Sequence, residues 1–558
     1  MNTQITTDIP LAQQILAICK AKQLKYIVIS PGSRNAPLTI GFSNDSFFKC
    51  FSIVDERCAA FFALGIAQQI KEPVALVCTS GSALLNYYPA VAEAFYSDIP
   101  LVILSADRPK EHIDIGDGQT IRQENVFANH IEYQANLLNS PEYTQVLKNK
   151  NTQLISEAID ASNLKKGPVH VNIPLYEPLY GTIKDVVEPL EKLKDKANVK
   201  NEELNIGNGF LNIWNSAKKK MVLVGVFGPN NFQDDILDKL LSDPSVILFT
   251  ETTSNLHHFK AIPSIDQLIS KLSEEEFREL QPDLLVTFGG LVVSKKIKAF
   301  LRKYSPKTHW HIDAKKAYNT YGCLTSHVKT SAQAFFSEIL NKNNTKVISN
   351  YQSYWLNIYE QKLISHASYL KNSPYSDLKV FEAIINKFPQ KLHLQLSNSS
   401  TIRYTQLFKL GKQVEVFCNR GTSGIDGSTS TAIGASIFQK KPTLLITGDL
   451  SFLYDSNGLW NNYISDNFKI IVINNSGGGI FRILPGNKEA EYFSKYLETV
   501  HDYRVEHLAK TYGFNYLLTS EKDLNDNLNH FFSSSKREIL EIKTPRKVND
   551  RVLLNYFS

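Results

Sequence analysis

Gly448-Asp449-Leu450-Ser451-Phe452 and Asn474-Asn475-Ser476-Gly477-Gly478-Gly479 set the architecture of this 558-residue chain. Each follows a short apolar run, residues 443–446 before the first and 469–473 before the second. Such runs, bounded by turn formers, read as buried strands. Asp449 and Asn475 are 26 positions apart. That is the reach of one helical crossover between neighbouring parallel strands, so both loops fall at the carboxyl edge of one sheet, where open α/β folds bind ligands. One carboxylate, one amide oxygen and a backbone carbonyl at Gly477 suit a hard divalent cation, and magnesium held this way keeps its remaining positions for diphosphate oxygens. The glycines admit backbone N–H groups to those oxygens.

The same alternation extends outward. Runs at 26–29, 74–78, 100–104 and 167–174 read as strands, with helical spacing over 57–69 and 83–95. Further runs at 221–225, 283–288 and 392–396 continue the pattern. Strands separated by helices imply parallel sheets covered on both faces. The chain is too long for one core, so three doubly wound parallel-sheet domains in series are expected: 1–184, 209–350 and 351–558. Residues 185–208, polar and lysine-rich, read as a linker or a solvated helix.

Hydrophobic residues at 43% and charged residues at 21% describe a folded, water-facing protein. A net charge of +6 is small for this length. It argues against a nucleic-acid partner and fits anionic small substrates. No stretch is apolar enough to span a membrane, and residues 1–10 lack a signal pattern, so a cytoplasmic location is expected. The six cysteines form no CxxC pair, which disfavours disulfides and a zinc site.

Glu56 follows an apolar run and precedes another at 58–64. Burial there would raise its pKa. Alone, it is a helix-start carboxylate favoured by the helix dipole.

Together, the two opening stretches resemble the GDG…NN signature of thiamine-diphosphate enzymes, with Leu450 replacing the third glycine. The resemblance implies thiamine diphosphate with Mg2+ or Mn2+ on Asp449, Asn475 and Gly477. It makes Glu56 the acid whose contact with the aminopyrimidine nitrogen activates the thiazolium carbon. It also names the domains: pyrimidine-binding, central, and diphosphate- and metal-binding. Because the acid and the metal then lie on different domains, active sites at the interface of a homodimer or a dimer of dimers are implied.

Closer identification comes from Ser30-Pro31-Gly32-Ser33-Arg34-Asn35-Ala36-Pro37-Leu38, Asp55-Glu56-Arg57, Ala106-Asp107-Arg108-Pro109, Asn419-Arg420-Gly421, Gly424-Ile425-Asp426-Gly427 and Gly478-Gly479-Ile480-Phe481. These are similar to the 2-succinyl-5-enolpyruvyl-6-hydroxy-3-cyclohexene-1-carboxylate synthases, transferases of menaquinone biosynthesis. The likeness runs over nearly the full length and is thinnest in the second domain. It implies decarboxylation of 2-oxoglutarate and addition of the resulting succinyl carbanion to isochorismate. Both substrates are dianions, and planar arginine forks suit them. By this similarity Arg34, Arg108, Gln119, Ser399, Arg403 and Arg420 contact substrate. Lys295 and Lys296 do so from the second domain, where the family often has Lys-Arg; a solvated helix face is the alternative. Ser451, Phe452, Ile425 and Gly478 hold cofactor, and Ile480, Phe481 and Leu484 wall the thiazolium, although core residues would look the same. None of the 13 histidines falls in these motifs, which disfavours a pyruvate-decarboxylase-like site. The charged, glycine-containing loop 111–118 is a candidate lid. The competing readings are another thiamine-diphosphate decarboxylase or carboligase, such as acetolactate synthase, and a binding protein that has lost the chemistry.

Overall fold

Short apolar runs closed by Gly, Pro or polar turns form three six-stranded parallel sheets. The computed structural model describes residues 4–185, 206–343 and 347–558. First come β1 (Gln4–Thr7), β2 (Tyr26–Ile29), β3 (Lys49–Ser52), β4 (Val74–Cys78), β5 (Leu101–Asp107), β6 (Tyr133–Asn136), β7 (Val169–Pro174) and β8 (Thr182–Asp185). β1 and β8 make an antiparallel pair, and the others lie in the order 3-2-4-5-7-6. The middle sheet has β9 (Lys220–Val224), β10 (Val246–Phe249), β11 (Ala261–Ile262), β12 (Leu284–Phe288), β13 (Thr308–Ile312) and β14 (Ser326–Val328), ordered 11-10-9-12-13-14. The last has β15 (Leu392–Leu396), β16 (Val414–Cys418), β17 (Thr443–Gly448), β18 (Phe468–Asn474), β19 (Asn515–Thr519) and β20 (Glu538–Lys543), ordered 16-15-17-18-20-19. Counted within each sheet, the first and third share the order 2-1-3-4-6-5, while the middle runs 3-2-1-4-5-6, the order of dinucleotide-binding folds. The expected three α/β units in series are present.

The expected linker at 185–208 lies mostly outside the described residues; Asp185 ends β8, and Asn208 opens a helix. The helix Tyr351–Asn372 straddles the second and third units. Its Tyr351, Trp355 and Tyr359 enter the middle core, and Leu370 enters the third. The helix expected over 83–95 is instead two, Ser82–Asn86 and Tyr88–Ser97. Pro89 has no N–H for the carbonyl of Leu85, which interrupts the ladder there.

First and third units share one core through the helices Glu56–Ile70 and Ser428–Ser436. Glycine permits their close approach. A Cβ on Gly65 would stand 2.1 Å from the Thr431 carbonyl oxygen, and one on Gly434 would stand 2.0 Å from that of Phe62. Every residue of the second helix is buried. All six cysteines are free. Among the described residues no helix is long and apolar enough to cross a membrane.

Candidate active site

β17 and β18 are neighbours in parallel, with Gly448 opposite Ile473, so Asp449 and Asn475 emerge at the same sheet edge. Both are buried. The Gly477 N–H donates to Asp449 Oδ2 at 3.0 Å, which brings the two loops into contact. Asn475 is oriented by a carboxylate: its Nδ2 donates to Asp377 Oδ2 at 3.0 Å. That leaves Asn475 Oδ1 buried with no hydrogen-bond partner. Burial pushes the Asp377 carboxyl up to about 6. Gly477 has φ +144, and a Cβ there would lie 2.6 Å from the Glu498 carbonyl oxygen, so only glycine fits without displacing the backbone. The same carbonyl accepts the Gly478 N–H at 2.6 Å. His501 Nε2 lies 3.2 Å from Asp449 Oδ2. Among the described residues no three His, Cys, Asp or Glu side chains cluster as metal ligands. A cation here would therefore depend on the mixed carboxylate, amide and carbonyl set.

Ser451 Oγ donates to the Ile425 carbonyl at 2.6 Å, tying the two predicted cofactor loops together. Phe452 is placed differently. Its ring is fully buried in the core shared by the first and third units, so any contact with a cofactor would have to come from its backbone. Ile480 and Phe481 are half-buried on the short 3-10 turn Gly479–Ile483, and Leu484 and Ile425 are exposed.

In the first unit Glu56 opens the helix Glu56–Ile70 behind the N-cap Asp55. Burial first, and the Asp55 charge second, push its carboxyl upward, the direction expected of a proton-holding group. Its neighbours bind the third unit: Arg57 Nη2 donates to the Tyr454 carbonyl and Asn457 Nδ2 to Asp55 Oδ2. No hydrogen bond or ion pair among the described residues joins Glu56 to Asp449 or Asn475. Arg34 and Arg108 converge on Glu177. Arg34 Nη2 lies 2.8 Å and Arg108 Nη1 3.5 Å from Glu177 Oε1. Gln119 is exposed, with φ +60. The candidate lid 111–118 is tied down at both ends: Tyr176 Oη donates to Glu111, and Arg108 Nη2 donates to the Gly118 carbonyl.

In the third unit Ser399 has φ +70, a strained value for a residue with a side chain. Its carbonyl accepts Arg403 Nη1 at 2.5 Å. Arg420 Nη1 donates to Asn398 Oδ1 at 2.6 Å. Burial and the Arg420 charge lower the Arg403 pKa. Lys295 and Lys296 begin the helix Lys295–Lys303. With Arg403 and Asp266 they line a cavity of about 260 Å³ between the middle and third units, closed on one side by the C-terminal helix Asn549–Phe557. Lys296 Nζ sits 4.7 Å from the Phe557 ring centroid.

Residues 9–133 match the family described as thiamine pyrophosphate enzyme, N-terminal TPP binding domain. Over 99% of both chains, the sequence is 57% identical to a 2-succinyl-5-enolpyruvyl-6-hydroxy-3-cyclohexene-1-carboxylate synthase of Flavobacterium psychrophilum. It is 53% identical, again over 99% of both, to the synthase of Flavobacterium johnsoniae. With that of Porphyromonas gingivalis the figure is 37%, over 98% of this chain and 96% of the relative. This chain belongs to the 2-succinyl-5-enolpyruvyl-6-hydroxy-3-cyclohexene-1-carboxylate synthase family. It is a thiamine-diphosphate-dependent enzyme of menaquinone biosynthesis.

Several residues beside the synthase motifs carry no signal in the sequence. Asp377 orients Asn475 from 98 positions away, and Glu177 meets Arg34 across 143. His501 reaches Asp449 from outside every motif. Each is a lone polar residue, Asp377 at a helix start and Glu177 and His501 in loops, and only the fold brings it to its partner.

Proposed function

We propose that this chain joins decarboxylated 2-oxoglutarate to isochorismate, as a homodimer or a dimer of dimers, with Mg2+ or Mn2+ securing the cofactor diphosphate. The buried, unpartnered Asn475 Oδ1 beside Asp449 carries the metal assignment. A buried amide oxygen without a donor is costly, and a hard cation takes such an oxygen readily. The Gly477 carbonyl would be the third protein ligand. When bound, thiamine diphosphate supplies the electron sink that lets a 2-oxo acid lose carbon dioxide and makes the remaining fragment nucleophilic.

The chain's own residues hold, orient and exclude. Glu56, its carboxyl raised by burial, holds a proton for the aminopyrimidine nitrogen. Arg34 and Arg108 exchange Glu177 for a substrate carboxylate, with Gln119 in the adjoining loop. Ser399, Arg403 and Arg420 take substrate oxygens from the third domain, and Lys295 and Lys296 take the acceptor's carboxylates in the 260 Å³ cavity. Ile425, Ser451, Gly478, Ile480, Phe481 and Leu484 border the cofactor and keep water from the nucleophile. A dimer is favoured because Asp55 and Arg57, not Glu56, bond the third domain of their own chain. Tyr454, Trp460, Tyr492 and Tyr496 are each more than half exposed, which suits a covered face.

The direct test supplies 2-oxoglutarate with isochorismate, and separately pyruvate alone, to the cofactor-loaded enzyme. Product is expected only with the first pair, whereas turnover of pyruvate would favour the acetolactate-synthase reading. Glu56→Gln should lower turnover at least ~100-fold while cofactor binding persists. Unchanged turnover would remove Glu56 from the mechanism.

A further inference from the structure

Lys295 and Lys296 occupy the first two positions of their helix, where the positive end of the dipole disfavours them. Two carboxylates hold that end. Glu251, just beyond β10, is 4% exposed. Its Oε2 accepts the Val293 N–H at 2.6 Å, and its Oε1 accepts the Ser294 N–H at 2.7 Å. Ser294 caps the helix, its Oγ accepting the Ile297 N–H at 3.1 Å and donating to Asp266 Oδ1 in a short bond. The residues leading into the lysine pair are therefore clamped at two consecutive amides and one hydroxyl.

The loop that carries Glu251 also grips the third domain. Ser254 Oγ accepts the Glu251 N–H at 2.8 Å and donates to the Val224 carbonyl at 2.8 Å. Asn255, at φ +49, exchanges two hydrogen bonds with the edge strand β16: its Nδ2 donates to the Val416 carbonyl at 2.9 Å, and its Oδ1 accepts the Val416 N–H at 2.8 Å. β16 then runs into Arg420. One short turn thus registers the lysines of the middle sheet against the arginines of the third. Glu251 and Asp266 also line the cavity that Lys295, Lys296 and Arg403 share. A fully buried carboxyl is costly, and burial pushes this one up to about 7. An apolar residue would be cheaper for the fold but could not fasten two amides at once.

We infer that Glu251 is a positioning residue for the acceptor substrate: by clamping the 293–294 amides it sets Lys295 and Lys296 opposite Arg403, at the separation the acceptor's two carboxylates require. The inference rests on the cavity assignment proposed above.

The test compares Glu251→Gln, Glu251→Asp, Lys295→Ala and Lys296→Ala in the full-length, cofactor-loaded enzyme. KM for isochorismate, KM for 2-oxoglutarate, carbon dioxide release from 2-oxoglutarate alone, and Tm are read for each. Glu251→Gln should raise the isochorismate KM at least tenfold, with both 2-oxoglutarate readouts within twofold of the parent. Glu251→Asp, which keeps the carboxyl but is too short for both amides, should give a smaller rise in that KM alone and covers the case in which the Gln protein does not fold. Combining Glu251→Gln with Lys296→Ala should add little to the lysine variant. If the lysine variants raise the isochorismate KM and neither Glu251 variant does, the positioning role is wrong and the cavity assignment stands. If the 2-oxoglutarate readouts fall in step with Tm, Glu251 is structural only. If the lysine variants leave the isochorismate KM unchanged, the cavity assignment falls and this inference with it.

Discussion

Glu498 has no exposed surface and faces two guanidinium groups. Arg482 donates to it through Nε and Nη2, and Arg546 Nη1 donates to Oε2 at 2.8 Å. Its carbonyl meanwhile receives the Gly478 N–H. A single residue thereby fixes the glycine turn that is proposed to approach the diphosphate. Removing one partner of a buried ion pair strands the other, at a cost of roughly 3–5 kcal/mol. Glu498→Ala should therefore lose stability on that scale in urea unfolding and bind cofactor more weakly; an unchanged midpoint would show that the arginines find other partners. Residues of this kind were not legible beforehand. Asp449 and Asn475 could be read because each ends an apolar strand at a fixed interval. Glu498, Asp377 and Glu177 sit in no pattern, and their importance comes from what the fold places beside them.

At the scale of elements, the strands were the readable part, because β-branched runs such as those of β4, β17 and β18 are buried on both faces and leave an unbroken apolar signature. The helix Ser428–Ser436, Ser-Thr-Ser-Thr-Ala-Ile-Gly-Ala-Ser, was not. Its composition looks like a loop, yet all of it is buried. Small side chains let it press against Glu56–Ile70. The hydroxyls of Ser430, Thr431 and Ser436 find internal partners, Ser430 Oγ donating to Asp455 Oδ1, while those of Ser428 and Thr429 are buried without one. Gly434→Ala would force a methyl group against the Phe62 carbonyl, and overpacking of this sort costs ~1–3 kcal/mol. A lower Tm is expected; an unchanged one would mean the helices separate freely. Asp455 gives the same contact a pH signature. Burial raises its carboxyl from 3.8 to about 6. Between those values the unfolded chain has released the proton that the native state keeps, so this group's contribution to stability falls as pH rises through the window and is flat on either side. Asp455→Asn, which still accepts the Ser430 N–H, should flatten that part of a Tm-against-pH curve. An identical slope in both proteins would assign the titration elsewhere.

For the whole molecule, the middle and third sheets bring Lys295, Lys296 and Arg403 to one cavity, while Arg34 and Arg108 meet on Glu177 in the first unit. The first and third sheets share a topology and one core, while the middle sheet contributes its lysine pair across the 260 Å³ cavity. The number and type of the units followed from the alternation of strands and helices. Their mutual packing did not, since it depends on small residues and on single polar contacts between distant loops. In the proposed site Asp449 and Asn475 act together as ligands of a divalent cation, and calorimetric titration of thiamine diphosphate measures this most directly. Binding by the parent protein should need Mg2+, disappear with a chelator, and stay weak with or without Mg2+ in Asp449→Ala and Asn475→Ala. Equally tight binding in the absence of metal, or a full magnesium response in either variant, would contradict it.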